Sequence, residues 1–418
     1  MNILVTGSSG FIGSAIVDVL RQRGHVIVTC SHHRGKDPAA LRVDYMLDTT
    51  ESAWRSRLHG IDVVINAVGI LRESAHARFA ELHHRAPAAL FQACQSAGVK
   101  RVIQISALGS DETARSAYHL SKKAADDVLR ASDLDWVIVQ PSLVFGAGSA
   151  STKLFLRLAS LPVIPLIGRG EHLMQPIHID DLSMLIAHLV ETPQSLRQTL
   201  FAVGPEPVTL RDLLLAYRKQ LRLKATLTLP IPLSLIRLAA KMGDALKSGA
   251  LSTETLDMLL RGNTADVAGT RLALKRCPRK LDSFIPAAQA DAWRTQTILQ
   301  WLSPLLIISI ASMWISAGVL SWLFAQTQGL ALLAALGLPI QLSVIAFAAA
   351  CLLDVLLGLA TLHPNRGVWA AQLVVIAFYS AALTFVAPQL WADPFGPLVK
   401  NLPLAGLILG LMALEKES

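Results

Sequence analysis

The sequence has few charged side chains for its length, and their distribution is uneven. Asp, Glu, Lys and Arg make up only 16% of the 418 residues, whereas 52% of the residues are hydrophobic. This balance excludes an ordinary soluble protein. Residues 298–418 hold just seven charged side chains. We therefore predict two domains, residues 1–297 and residues 298–418, with the break where the charge density falls.

Cysteine pairs and a basic stripe are also lacking. The four cysteines are far apart and form no CxxC pair, which indicates neither a metal site nor a disulfide framework and favours a reducing compartment. The net charge is +8, yet no basic stripe with interleaved aromatic residues occurs, so nucleic acid is not an expected partner. A basic cluster before residue 298 suits anionic lipid headgroups. It consists of Arg271, Lys275, Arg276, Arg279 and Lys280.

The first domain alternates apolar runs typical of buried strands with stretches of helical spacing. Strands that alternate with helices predict an α/β Rossmann fold, in which a parallel sheet is doubly wound. The runs lie at residues 2–6, 26–30, 63–67, 102–106 and 136–139, and the helical stretches lie near residues 11–23, 79–97 and 114–132.

A glycine-rich turn follows the first predicted strand. Gly7, Gly10 and Gly13 have the GxxGxxG spacing and lead into the first predicted helix. Glycine lets the backbone approach a pyrophosphate closely, and the free N–H groups of the helix then bind the phosphates. The turn, which includes Ser9, predicts a dinucleotide site. The alternative is a tight turn that binds no ligand.

The end of the second predicted strand lacks the acid of an NAD site. Such an acid binds the ribose 2′-hydroxyl, but the segment after residue 30 is basic and has no acid until Asp37. Arg34, with His32 or His33, could hold a 2′-phosphate. The pattern therefore favours NADP over NAD, and the alternative is a solvated basic loop.

Three residues have the spacing of a catalytic group. Ser106 ends a predicted strand, and Tyr118 and Lys122 form a YxxxK pair on one face of a predicted helix. We expect the Lys122 ammonium to lower the pKa of Tyr118. Tyr118 would then exchange a proton with a carbonyl or carbinol oxygen that is hydrogen-bonded to Ser106. An ordinary amphipathic helix face is the alternative.

In this order, the motifs resemble those of the short-chain dehydrogenase/reductase superfamily, in its atypical or extended branch. The similarity covers roughly residues 1–290 and is closest to a subgroup that includes the Rossmann-fold accessory subunit of respiratory complex I. The segments that carry it are INAVGIL from Ile65, SALGSD from Ser106, QPSLVFG from Gln140 and PIHIDD from Pro176.

The resemblance implies a role for each matching residue. The catalytic triad would be Ser106, Tyr118 and Lys122, of which Lys122 would also contact the cofactor. From the pyrophosphate to the nicotinamide, the cofactor would be lined by Gly7, Gly10, Phe11, Ile12, Gly13, Ala67, Gly69, Pro141 and Ser142.

Three positions qualify this assignment. Asp44 resembles the acid that meets adenine, and an ordinary turn residue is an equal alternative. Gln140 stands where extended members usually have arginine, and His83 stands where many have asparagine. Relatives of the complex I subunit often keep the cofactor and lose turnover.

Residues 233–246 have apolar side chains on one side of a predicted helix, together with Arg237 and Lys241. This pattern is typical of a helix that lies on a bilayer or covers a substrate cleft. We favour the alternative, a cap helix packed on its own core.

The second domain contains four apolar stretches, which predict an all-α four-helix transmembrane domain. The first three are long enough to cross a hydrocarbon core of about 30 Å, and the fourth is shorter. A buried soluble bundle is the alternative. The stretches lie at residues 301–324, 339–362, 368–386 and 398–414.

Loop charges predict the orientation of these stretches. The basic cluster before the first stretch and Arg366 in the second loop indicate the cytoplasmic side, and Asp393 indicates an external loop. The chain would be a multi-pass protein of the inner or cell membrane. Its Rossmann domain and its C-terminus would lie in the cytoplasm.

The second domain resembles the DoxX-like membrane family, some members of which are linked to quinone-dependent redox chemistry. The resemblance rests on the tract from Leu390 to Pro403 and on LDVLLG from Leu353. Within that second motif, Asp354 is a carboxylate inside a span, which is costly and often functional. It would pair with Lys400 or a backbone group, or it would lie in a polar cavity. The alternative is a structural interhelical hydrogen bond.

Together these features predict a membrane-anchored NADP(H)-dependent oxidoreductase. Its small-molecule substrate would be lipophilic, a carbonyl, carbinol or quinone delivered from membrane lipids. One alternative is a non-turnover NADPH-binding scaffold or sensor of a membrane redox complex, which Gln140 and His83 favour. Another is a nucleotide-sugar epimerase or dehydratase, which uses the same fold and triad.

Overall fold

The computed structural model describes residues 1–32, 40–74, 76–245, 252–394 and 396–415. These residues form two compact units, Met1–Thr297 and Ile298–Ser418. The described β-strands, all in the first unit, are β1 (Asn2–Thr6), β2 (Val26–Ser31), β3 (Leu41–Arg42), β4 (Val63–Asn66), β5 (Arg101–Ile105), β6 (Trp136–Pro141), β7 (Val144–Phe145), β8 (Ile164–Ile167), β9 (Leu173–Met174), β10 (Ile177–His178), β11 (Gln198–Ala202), β12 (Val208–Thr209) and β13 (Thr228–Ile231).

The α-helices are α1 (Phe11–Gln22), α2 (Glu51–Arg55), α3 (Ala86–Ser96), α4 (Ala117–Arg130), α5 (Ala150–Ser160), α6 (Ile179–Glu191), α7 (Leu210–Gln220), α8 (Leu233–Ala245), α9 (Thr253–Arg261), α10 (Ala268–Leu274), α11 (Ala290–Phe324), α12 (Gln326–Ala335), α13 (Ile340–Thr361), α14 (Arg366–Val386) and α15 (Asn401–Leu414). A π-helical segment, Ala80–Arg85, leads into α3. Such segments are rare and occur frequently at functional sites.

A seven-stranded parallel sheet forms the centre of the first unit, in the order β11-β6-β5-β4-β1-β2-β3. Side chains of successive strand residues point to opposite faces. Ile3 and Val5 therefore pack in one buried cluster with α1 and α6, and Leu4 packs in another with α2, α3 and α4. The sheet is covered on both faces, which confirms the predicted Rossmann fold.

The carboxyl ends of the parallel strands meet at one edge of the sheet. The chain order reverses between β1 and β4, and ligands of doubly wound sheets bind in the crevice outside such a reversal. The predicted site residues follow these strands: Gly7 follows β1, Ala67 follows β4 and Ser106 follows β5. The topology therefore brings separate parts of the sequence to one edge.

The second unit is helical, which confirms the all-α prediction, but the predicted number of four helices is wrong because α12 forms between the first two predicted stretches. Three helices, α11, α13 and α14, are long and apolar enough to cross a membrane. The fourth predicted stretch forms α15, which has 14 residues. At 1.5 Å per residue it extends about 21 Å, less than the hydrocarbon core.

Polar side chains of the second unit bond to one another between helices. Gln372 accepts a hydrogen bond from Trp314 Nε1 at 3.0 Å and donates one to Thr361 Oγ1 at 2.8 Å. Asp354 Oδ1 accepts one from the hydroxyl of Tyr379 at 3.2 Å. Within the described residues Asp354 forms no ion pair with Lys400, so that suggested pairing is wrong.

Candidate active and cofactor-binding site

The glycine turn after β1 is packed too closely for other residues at two of its positions. Gly7 has a φ of +69°, and a Cβ there would lie 2.7 Å from the carbonyl group of Ala67. A Cβ on Gly13 would overlap the carbonyl oxygen of Gly7. Glycine therefore allows the turn to lie directly against the segment that follows β4.

The amino end of α1 has the features of an anion site. Gly10 is the N-cap and supplies no side-chain acceptor, so N–H groups of the first turn stay available. By contrast, α4, α5, α6 and α7 are each capped by a side chain. The α1 terminus, with a sharp turn that a Cβ would obstruct, fits the diphosphate of a dinucleotide.

Ser9, Gly10 and Phe11 also line a cavity of about 550 Å³ beside the turn. Ile12 is half-buried and packs against the core between the sheet and α6. Arg279, from the basic cluster, lines the other side of the cavity. Sequence reasoning gave this residue no role in the site.

Two arginines of the basic cluster bind a buried carboxylate. Asp181 is fully buried, and Arg276 Nη2 lies 2.5 Å from its Oδ1. Arg279 donates its backbone N–H to Asp181 Oδ2 at 2.6 Å and pairs with Asp180 at 2.9 Å. These two residues therefore fix the cavity wall, a structural task in addition to the predicted contact with lipid.

Lys122 lies between the ends of β4 and β5. Its Nζ donates to the carbonyl oxygens of Val68 at 3.0 Å and Ile105 at 3.1 Å, and its side chain is buried. A Cβ on Gly69 would lie 3.1 Å from this nitrogen. Burial lowers the pKa of Lys122 to about 8, against the opposing effect of the nearby Asp126 carboxylate.

His83 occupies the π-helical segment and holds the neighbouring backbone. Its Nε2 accepts the N–H of Ile70 at 3.0 Å, so Nδ1 carries the proton and donates to Ser121 Oγ at 2.9 Å. Burial, followed by the charge of Lys122, lowers the pKa of His83 to about 2. His83 is therefore neutral near pH 7 and positions other groups instead of supplying a proton.

Tyr118 is enclosed by aromatic and apolar side chains. Its ring centroid lies 5.5 Å from that of His83 and 6.1 Å from that of Phe79, and Met258 of α9 packs against the same cluster. Its backbone N–H donates to Glu254 Oε1 at 2.7 Å. The ring is thus fixed from α9 as well as from its own helix.

The pKa of Tyr118 moves opposite to the expected direction. Burial, followed by the negative charges of Asp126 and Glu254, raises it to about 12. The expectation that Lys122 lowers this pKa is wrong here because the Lys122 nitrogen is bound to two carbonyl oxygens and desolvation dominates. A neutral phenol near pH 7 is a proton donor.

Asp126 is a site residue that sequence reasoning missed. Ser106 Oγ donates to Asp126 Oδ2 at 2.5 Å, and Gln140 Nε2 lies 3.4 Å from the same oxygen. Burial raises the pKa of Asp126 to about 6, which the hydrogen bond from Ser106 opposes. Its position four residues after Lys122 placed it on the same helix face, which was the available signal.

The remaining predicted residues lie in three places. Pro141 and Ser142 are buried at the end of β6, where Ser142 Oγ donates to the Gln175 carbonyl oxygen at 2.5 Å. Asp44 accepts the N–H of Met46 at 2.9 Å, as a turn residue does, and its Oδ2 lies 3.7 Å from His32 Nδ1. Arg34 and His33 lie outside the described residues.

Two families match different parts of this chain. Residues 3–204 match the NAD dependent epimerase/dehydratase family, and residues 311–409 match the DoxX-like family. Among curated proteins, a ceramide reductase of Caulobacter vibrioides is 29% identical over 46% of this chain. NADH dehydrogenase [ubiquinone] 1 alpha subcomplex subunit 9 of Rattus norvegicus is 26% identical over 48% of it. The chain spans 61% and 56% of the lengths of these two relatives.

Solved structures share the fold of the first unit. A nucleoside-diphosphate-sugar epimerase of Staphylococcus aureus covers 68% of the chain with a TM-score of 0.56 and 16% identity, over 99% of its own length. UDP-glucuronic acid 4-epimerase of Bacillus cereus, solved with UDP-glucuronic acid and NAD, covers 71% with a TM-score of 0.52 and 18% identity, over its full length. The chain therefore combines a first unit that is similar to the NAD dependent epimerase/dehydratase family with a C-terminal region that is similar to the DoxX-like family.

Proposed function

We propose that this chain is a membrane-anchored reductase that uses NADPH to reduce the carbonyl group of a lipophilic substrate. The observation that carries the proposal is the buried Tyr118 side chain on α4, four residues before Lys122, whose nitrogen binds the strand ends at the edge of the sheet where the glycine turn lies. When bound, the nicotinamide would supply a hydride to the carbonyl carbon. Tyr118 would donate a proton to the carbonyl oxygen.

The surrounding side chains would keep this proton donor ready. The Lys122 ammonium holds the carbonyl oxygens of Val68 and Ile105 and would thereby position the strand ends that meet the cofactor. Ser106 donates its hydroxyl hydrogen to Asp126. The lone pairs of its oxygen can therefore accept a hydrogen bond from the new hydroxyl group of the product. His83 and Phe79 fix the plane of the tyrosine ring. A neutral Tyr118 phenol is thereby available near neutral pH as the proton donor that carbonyl reduction requires.

The similarity to a ceramide reductase and the DoxX-like domain support a lipid substrate. We propose a keto lipid of the ceramide type, with a quinone as the second substrate class. The test is NADPH consumption by the full chain in vesicles, with keto lipid, quinone and UDP-sugar added separately, and with NAD supplied as the oxidant in a parallel UDP-sugar sample. Consumption with the keto lipid supports the proposal, and conversion of the UDP-sugar without net NADPH consumption would assign the chain as an epimerase.

A non-turnover NADPH-binding scaffold of a membrane redox complex is the second candidate. It is favoured by the similarity to a subunit of NADH dehydrogenase and by the neutral Gln140 beside Asp126. NADPH binding without consumption of any substrate in the panel would support this candidate over the reductase.

Asp126 is expected to set the alkaline limit of the reduction. Lys122 loses its proton as pH rises through about 8, and the Asp126 carboxylate opposes that loss. Asp126→Asn removes the opposing charge, so the decline in kcat should begin about one pH unit lower. The pH profile of NADPH oxidation measures this shift.

The control for that variant is the neighbouring acid. Asp127 is exposed and pairs with Lys123 at 2.6 Å and Arg130 at 2.7 Å. Asp127→Asn should not change the pH at which kcat begins to decline. If Asp126→Asn binds NADPH normally and its kcat declines at the same pH as that of the wild type, the role assigned to Asp126 is contradicted.

Arg34 is expected to decide between NADP and NAD. One charge-assisted contact to the 2′-phosphate contributes about 2 kcal/mol, so Arg34→Ala should weaken NADPH binding by roughly 30-fold. NADH binding should change little because that cofactor has no 2′-phosphate. Calorimetric titration of both cofactors tests this, and equal weakening of the two would refute an NADP-specific contact.

We also propose that the chain lies in the inner or cell membrane with the first unit in the cytoplasm. Support comes from the basic residues that precede α11 and from the three apolar helices. Cytoplasmic placement would give the glycine turn access to nicotinamide cofactors.

A further inference from the structure

Helix α8 exposes an apolar face. Leu235, Leu238 and Met242 are 56%, 58% and 57% exposed, although they are large hydrophobic side chains. Their spacing of three and four residues places them on one side of the helix. Ala240 is the one buried residue of α8. The expectation of a cap helix packed on its own core is therefore wrong.

Two basic side chains lie along one edge of this face. Arg237 and Lys241 are exposed, one turn apart, and neither forms an ion pair within the part of the chain that the structure describes. The strand that precedes the helix, β13, adds the exposed Leu229. The exposed side of α8 is therefore an apolar stripe with positive charge along its border. No acidic side chain among the described residues pairs with Arg237 or Lys241.

We propose that this face of α8 docks on the surface of a bilayer that contains anionic lipids. The three apolar side chains would enter the boundary between headgroups and acyl chains. Arg237 and Lys241 would lie among the lipid phosphates, where each basic residue contributes about 1 kcal/mol. Charge complementarity therefore selects an anionic lipid surface as the occupant of this face.

The docking helix is joined to the candidate catalytic tyrosine through α9. Asp244 at the end of α8 accepts a hydrogen bond from Thr253 Oγ1 at 2.7 Å, at the start of α9. In turn, Glu254 and Met258 of α9 contact Tyr118. When α8 is docked, only α9 would therefore lie between the docked helix and Tyr118. The docking itself does not depend on the proposed reaction.

The test uses the full chain in vesicles with a fluorescent probe on α8. Cys277 is exposed and the other three cysteines are buried, so a Cys277→Ser background leaves one reactive position per variant. An NBD label at Leu238→Cys is compared with one at Val26→Cys. Val26 is 61% exposed and begins β2, at the edge of the sheet opposite the site.

The vesicles contain phosphatidylcholine, phosphatidylglycerol and a lipid that carries a shallow doxyl quencher. We expect at least about threefold stronger quenching of the Leu238→Cys probe than of the Val26→Cys probe. Quenching should fall when phosphatidylglycerol is omitted, and when Arg237 and Lys241 are both replaced by Glu. NADPH binding confirms that each labelled variant is folded.

Three outcomes would overturn the proposal. One is equal quenching at the two positions. Another is quenching at Leu238→Cys that does not change when phosphatidylglycerol is omitted or the charges are reversed. The third is disulfide formation between two copies through Leu238→Cys without lipid quenching, which would assign the face to a second copy of the chain.

Discussion

Tyr118→Phe is expected to slow NADPH oxidation by about 100-fold or more, because general acid catalysis by a positioned side chain contributes 10²–10⁴-fold. The substitution removes the hydroxyl that donates the proton and keeps the ring that packs edge-on against Phe79 and His83. The dissociation constant for NADPH should therefore stay within about twofold of the wild-type value. Steady-state rates with saturating substrate, together with a binding titration, measure both quantities.

The matched control is Tyr217→Phe, at another buried tyrosine. Tyr217 packs against Phe145 in a separate apolar cluster, away from the residues that surround Lys122. This variant should keep nearly the full rate. If Tyr118→Phe also keeps most of the rate, the proton comes from another group and the assignment of Tyr118 as the donor is wrong.

Gly13→Ala is expected to weaken NADPH binding by up to about 100-fold. The new Cβ would overlap the carbonyl oxygen of Gly7, so the turn must move away from the position in which it receives a diphosphate. Overpacking of this kind costs up to about 3 kcal/mol, which corresponds to roughly 100-fold in affinity if it falls on the bound state. A fluorescence titration with NADPH gives the affinity.

Gly269→Ala is the control for the glycine turn. Gly269 also lies in a helix, and a Cβ there would meet only Leu200, at 3.9 Å. Its NADPH affinity should match that of the wild type. A Gly13→Ala variant that is folded by circular dichroism and binds NADPH normally would show that the diphosphate does not use this turn.

The general architecture followed from sequence patterns because it depends on local signals. Apolar strands that alternate with helices predict a parallel sheet, and a glycine turn after β1 predicts a phosphate site, whatever the rest of the chain does. The signal for the three long apolar helices is also local, because the length and hydropathy of each segment define it. Helix α15 is shorter than the predicted fourth stretch because the residues before Asn401 form a 3₁₀ turn and a loop and do not extend the helix.

The chemistry of the site depended on contacts that no local pattern contains. The raised pKa of Tyr118 comes from burial under Phe79, His83 and Met258, which lie far away in the sequence. The pairing of Ser106 with Asp126 joins a strand end to a helix. The exposure of Leu238 depends on how α8 packs against its neighbours, and the sequence pattern of the helix does not contain that information.

The binding of a nicotinamide dinucleotide by the first unit is the claim on which the remaining proposals depend. Native mass spectrometry of the detergent-solubilised full chain, before and after addition of NADPH, tests it most directly. We expect a mass increase of one NADP(H) per chain in wild type and its loss in Gly13→Ala, with retention in Gly269→Ala. A wild-type chain that carries no nucleotide and gains none from added NADPH would contradict both the reductase and the scaffold.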